Sequence, residues 1–469
     1  MMSNTGRIEG RSAADPGTAA GHIGWPRLLL GAALLFPAIA HAQVGVAPGQ
    51  PALAPAPPPA QPVLPAFPQT SATMGVVADE ARIYGDDAPT AGGFDILAGI
   101  GFHMSASLVT EYNDNISRTV TGEPLNPRFK SKTDWRFTPT VAADFGRAFG
   151  RQRLFLTGSV GRDYYARNNI MNRNRFQVDG GLQWTLGTRC NGRAQGGYSD
   201  RGTRLSDFDE VIPSSQTSSS LSLVAGCATA TGLGFNAGYN WNELKNSVES
   251  REYADSRGSG INGSIFYKLG QRGDISIQGY SRSVTYPNQF LPDGQSNGTD
   301  ISSLSLGLGY RFGPSIRLNG DIGKSWADPK NPLAEGFSGL TWNLAASYSG
   351  PRLGGRISAG RGVSSGSGGY TNYQLSDRFA AALTYDFGRR IVISTGYSHL
   401  NQRNRGGEGL PETSRLSEFK LDRIFIGADY RLNRILTVGF DVNNQKRSAN
   451  PSDFNYTATS ALLTLRARI

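Results

Sequence analysis

From Phe94 to the last residue, one pattern recurs along the chain: large apolar residues at every second position, with polar ones between. Phe176, Val178, Leu182, Trp184 and Leu186 alternate with Gln177, Asp179, Gly181, Gln183 and Thr185. A period of two places one oily row and one wet row on opposite faces of a β-strand. The same device returns in Phe235, Ala237, Tyr239, Trp241; in Leu304, Leu306, Leu308, Tyr310, Phe312; in Leu340, Trp342, Leu344, Ala346, Tyr348; and in Phe379, Ala381, Leu383, Tyr385, Phe387. About eighteen such segments follow one another, the first near 102–113 and the last near 457–468. A sandwich would need a second apolar layer to cover these rows. With 38% apolar residues in 469, the chain has nothing left to supply one. A sheet with one oily face and no partner must close on itself and turn that face to lipid.

The connections sort by length. GRAFGR (146–151), GT (187–188), TG (231–232), LGQRG (269–273), FGP (312–314), GP (350–351), GRR (388–390) and LNR (432–434) are tight. Between them lie the polar stretches 114–130, 166–173, 202–215, 243–255, 286–299, 327–337, 364–373, 402–417 and 447–456. Every odd connection is a loop and every even one a turn, the habit of a transmembrane barrel with short periplasmic turns and long outer loops. The expected fold is therefore all-β: an outer-membrane antiparallel β-barrel of about 18 strands spanning 94–469, with both termini periplasmic.

The N-terminus fits that compartment. Arg27, the apolar run Leu28–Phe36 and Ala40-His41-Ala42 read as a signal peptide over 1–42. Residues 43–93 form a Pro/Ala-rich periplasmic segment, with nine prolines between Val44 and Pro68, too poor in apolar side chains to fold alone. Loss of 1–42 removes Arg7, Arg11 and Arg27 against Glu9 and Asp15, so the mature chain keeps most of its formal charge of +10. In a Gram-negative envelope that charge points away from nucleic acid and towards lipopolysaccharide, an anionic polymer or small anions.

Two cysteines fall on neighbouring strands. With a hairpin centred on the loop at 202–215, paired residue numbers sum to about 417, and 190 plus 227 gives 417. Cys190 and Cys227 are thus expected to face each other, within reach of a disulfide in an oxidising compartment.

No motif for catalysis, cofactor binding or metal ligation stands out, so no enzyme activity, cofactor or metal is expected. Of four histidines, His22 and His41 precede the barrel, and no His/Cys cluster has ligand spacing. The glycine-rich run 362–369 opens no helix and is no phosphate cradle. The informative chemistry is basic. By parity, Arg136, Arg193, Lys268, Arg282, Arg311, Arg317, Arg356, Arg378, Arg423, Arg431, Arg466 and Arg468 point inward, a potential path for an anionic solute. Acids point inward too, among them Glu111, Asp144, Asp179, Asp274 and Asp429.

Tyr112-Asn113-Asp114-Asn115-Ile116 resembles the "YNDN" element near the first strand of the putative β-barrel porin 2 family. That resemblance implies an outer-membrane barrel associated with exopolysaccharide operons, including sphingan-type ones, and assigns no catalytic residues. The expected function is a channel taking part in export of an anionic exopolysaccharide. The alternatives are a passive porin for small anions or sugars, and a non-transporting surface barrel acting as adhesin or receptor. Expected partners are outer-membrane lipid and lipopolysaccharide, the barrel assembly machinery, periplasmic polysaccharide-export components and the polymer itself. The terminal row Ala461, Leu463, Leu465, Ala467, Ile469 has the form of an assembly signal.

Overall fold

A computed structural model describes residues 101–120, 123–202, 214–366, 371–388, 390–405, 416–450 and 452–468. The expected signal peptide and Pro/Ala-rich segment lie outside these. Eighteen strands follow in order: β1 (Phe102–Asn113), β2 (Asp134–Phe149), β3 (Gln152–Tyr165), β4 (Arg173–Leu186), β5 (Cys190–Gly202), β6 (Ser215–Ala228), β7 (Leu233–Asn246), β8 (Ser256–Leu269) and β9 (Gly273–Phe290). The second half continues with β10 (Ser296–Phe312), β11 (Ile316–Pro329), β12 (Phe337–Ser349), β13 (Leu353–Ser365), β14 (Tyr373–Phe387), β15 (Ile391–Arg405), β16 (Glu418–Arg431), β17 (Leu436–Asn450) and β18 (Tyr456–Arg468). Each strand pairs antiparallel with its sequence neighbours, and β1 also pairs with β18, so the sheet closes into a barrel.

Loop lengths segregate by end. The turns β2–β3, β4–β5, β6–β7, β8–β9, β10–β11 and β14–β15 carry glycine in the left-handed region, at Gly150, Gly187, Gly232, Gly270, Gly313 and Gly388. A tight hairpin needs that backbone shape, and glycine adopts it without a steric penalty. The stretch 286–299 differs from its expected loop. β9 and β10 run on through most of it, turning at Leu291–Gln295 with a register shift between Ser296 and Asn297. Continued pairing satisfies backbone groups there, and Tyr286, 2% exposed, anchors the extension.

The outer face is apolar and bare. Leu186 keeps 60% of its surface exposed, Ile261 62% and Leu306 60%. The row from Phe176 through Leu182 to Leu186 belongs to this belt. So broad an apolar surface is untenable in water and suits acyl chains. The inner face carries polar side chains that bond around the barrel. Ser222 donates to Asn240 (2.9 Å), Asn240 to Asn262 (3.1 Å) and Asn236 to Ser264 (3.3 Å).

The closing seam is fastened at the loop end. The β1–β18 ladder ends at Asn113–Ser460. Beyond it the Asp114 amide donates to Thr459 O (3.1 Å), and Asp114 Oδ1 accepts from the Thr459 amide (2.7 Å). Asn115, 2% exposed, donates to both Thr119 O and Thr457 O (2.9 Å each). At the other end, Cys190 and Cys227 are directly opposed on β5 and β6, with Cα atoms 4.0 Å apart, and form a disulfide.

Candidate functional site: a basic lumen with an inward hairpin

All twelve basic residues named above lie on the face opposite their strand's exposed apolar row, but in two settings. Near the loop end the cations are tied down. Arg136 contacts Glu111 (2.5 Å) and lies 3.8 Å from Asp163, whose carboxylate also accepts from Thr138 (2.6 Å). Arg282 donates to Asn242 (2.5 Å) and Arg423 to Gln445 (2.7 Å). Arg378 shares this half, opposite Leu400. Two further inward cations belong here: Arg175, 3.7 Å from Asp163, and buried Arg447, which donates to Phe454 O and lies over the Tyr456 ring.

At the turn end the setting is different. Arg311 and Arg317 stand directly opposite each other across the β10–β11 hairpin. Arg317 is followed in the same row by Ser347 and then Arg356. Lys268, Arg431, Arg466 and Arg468 sit within three residues of their strand ends, and Arg193 within three of its strand start. Arg466 lies 3.6 Å from Asp429, and Arg193 over the Phe155 ring. Arg153, one residue inside β3, adds to the ring. Among the described residues Arg311 and Arg317 have no carboxylate within ion-pair distance. Like charges directly opposed on a sheet repel, so this pair costs stability.

Sequence reading missed the second feature altogether. The β12–β13 ladder stops at Trp342–Arg361, although β12 runs on to Phe337 and β13 to Ser365. Beyond that point the β13–β14 hairpin leaves the wall and crosses to the inner side of β9–β11. Val363, Tyr373 and Leu375 pack against Ile301 and Ala327. Tyr286 donates to Gly366 O (2.7 Å), Thr299 to Asn372 O (2.9 Å), and Asn372 to Asn297 Oδ1 (2.7 Å) and Gly298 O (3.0 Å). Tyr373 reaches Glu335 O (3.0 Å). Ala327, Thr299 and Asn372 are fully buried, so the hairpin is seated by packing as well as by hydrogen bonds. It occupies part of the lumen at the loop end.

His103 and Asp144 face each other on β1 and β2, with Ser105 on the same inner row. No hydrogen bond joins them: His103 Nδ1, Ser105 Oγ and Asp144 Oδ2 lack partners. Among the described residues no group of His, Cys, Asp and Glu could hold a metal.

Fold and inner face together define a transmembrane β-barrel with a polar, basic lumen. No protein-family model matches the chain, and no curated protein matches it. Among solved structures it is similar to OccK2 of Pseudomonas aeruginosa, at 12% identity and a TM-score of 0.44, over 78% of this chain and 98% of that one. It is similar to OpdL of the same organism at 9% identity and a TM-score of 0.42, over 79% and 99%. The FrpB iron transporter of Neisseria meningitidis aligns at 12% identity and a TM-score of 0.46, over 77% of this chain. The chain spans 64% of the length of FrpB. At such identities no residue role passes from these proteins to this one.

Proposed function

We propose that the chain is an outer-membrane channel of a Gram-negative bacterium that carries an anionic solute through a basic lumen. In this reading the turns and both termini are periplasmic and the loops face outward. The observation that carries it is the opposed pair Arg311–Arg317, unpaired with acid and followed in its row by Arg356, where a solute would enter from the periplasm. Rings of Arg and Lys favour anions, and guanidinium groups suit carboxylates.

The resemblance at Tyr112–Ile116 extends the reading to export of an anionic exopolysaccharide. The test is released and cell-bound polysaccharide in a clean deletion strain. Complementation uses the native chain and a variant with Arg311, Arg431 and Arg466 replaced by Gln. The expected result is loss of released polymer, restored by the native chain only. Unchanged polymer in the deletion strain removes the export reading.

A second reading has its own support. The buried seat of the β13–β14 hairpin favours a fixed constriction, and a fixed constriction suits small anions or sugars better than a polymer. That reading expects steady conductance and an intact capsule in the deletion strain.

A further inference from the structure

The inward bend of β13 and β14 leaves a notch in the barrel wall. From Phe337 to Thr341, β12 pairs with β11 only, and no ladder with β13 covers its other edge among the described residues. The backbone edge there is open to the membrane side, with Leu340, 59% exposed, projecting from it. At the foot of the notch stands Arg361, opposite Trp342 on one side and Asp377 on the other, all on the outer face.

Arg361 heads a basic patch. Asp377 lies between Arg361 (3.6 Å) and Arg403 (3.2 Å), so the three carry net positive charge on a surface otherwise made for lipid. The same outward row runs on through Asn401 to Lys420, and Lys446 stands opposite Asp422 in the row below. Asp422 is held by Tyr397 (2.7 Å) and His399 (2.8 Å). Glu418 stands directly opposite Arg403, and Arg405 lies two residues further along β15. Directly below the patch come Phe379, Ile357, Tyr397 and Ile424, the start of the apolar belt. The patch therefore sits at headgroup height, where aromatic side chains give way to charge. The other outward ion cluster at this end, Glu243 with Lys245 and Arg257, also sets two cations on one acid, but it lies where both neighbouring ladders are continuous.

We propose that this notch binds a phosphorylated glycolipid of the surrounding leaflet. The proposal rests on the outer-membrane reading above. Each part of such a ligand meets a matching group. Arg361 and Arg403 present guanidinium groups to phosphate. The open backbone edge of β12 offers hydrogen bonds to sugar hydroxyls, and Trp342 a flat face to a sugar ring. Leu340, Leu344 and Ile357 line the course of the acyl chains. Basic clusters at membrane interfaces hold anionic headgroups in this way.

The test uses the full chain purified in detergent and bis-phosphorylated lipid A as probe, with binding read by native mass spectrometry. The native chain is expected to retain lipid A, and R361A/R403A to bind it about tenfold more weakly, roughly 1.4 kcal/mol. D377N, which removes the acid between the two guanidinium groups, is expected to bind more tightly. K245A/R257A, altered at the other outward ion cluster, is expected to bind as the native chain does. The heat-dependent shift in electrophoretic mobility and the conductance of the same preparations report folding. Equal binding by R361A/R403A overturns the site. So does equal weakening in K245A/R257A, or equal affinity for phosphatidylglycerol. Absence of conductance in the native chain would remove the channel reading while leaving the lipid measurement intact, so the two fail separately.

Discussion

At the scale of single residues, the polar side chains divide into fasteners and free charges. Asn115 is a fastener: its buried amide holds both its own loop and β18. Truncation leaves the Thr457 carbonyl short of a donor, a loss of about 1–3 kcal/mol. N115A is expected to lower the temperature of the electrophoretic mobility shift without changing ion selectivity; an unchanged midpoint would contradict the fastening role. The Tyr112–Ile116 element thus has a structural reason to exist, whatever the barrel carries. Cys190 and Cys227 are a second fastener. A disulfide of this kind contributes about 2–4 kcal/mol, so C190S/C227S is expected to fold into a barrel with a lower midpoint. Non-reducing peptide mapping of the native chain should recover residues 190 and 227 in one linked fragment. Arg311 and Arg317 are the free charges. R311Q/R317Q removes a repulsion, so its thermal midpoint is expected to stay level or rise while anion preference falls.

At the scale of elements, the strands were legible because alternation is strict and lipid demands it on every strand. The turns were legible because six of them need glycine with positive φ. Parity alone also assigns a side chain to a face, since a strand has only two. The β13–β14 hairpin was not legible. Val363, Tyr373 and Leu375 keep the outward parity of their strands, and nothing local distinguishes an outward row that meets lipid from one that folds in and meets Ile301 and Ala327. Which arginines are tied down was hidden for a similar reason. Arg136, Asp163 and Arg175 come from three strands, and their meeting depends on register. Arg153 and Arg175 sit at inward parity within expected strands and could have been found there. Arg447 lies just beyond an expected strand end. The hairpin carries its own prediction. Asn372 and Tyr373 seat it on β10 and on the β11–β12 loop, so N372A/Y373A is expected to raise single-channel conductance and its fluctuations in planar bilayers. Conductance identical to that of the native chain would show that the hairpin does not limit flow.

At the scale of the whole molecule, closure accounts for the low apolar content. A barrel fills its interior with polar side chains and water and spends its apolar residues on the outside, so 38% suffices where a soluble core would need more. The same inversion places charged side chains on the lumen wall, Arg311 and Arg317 among them at the turn end. In the proposed reading the lumen is a path and its basic ring selects what passes. The most direct measurement is the reversal potential of the purified chain in a planar bilayer under a tenfold potassium chloride gradient. Open-channel current is expected with a reversal potential on the chloride side of zero, moving towards zero in R311Q/R317Q. A native chain that carries no current, or one that prefers potassium, would contradict it.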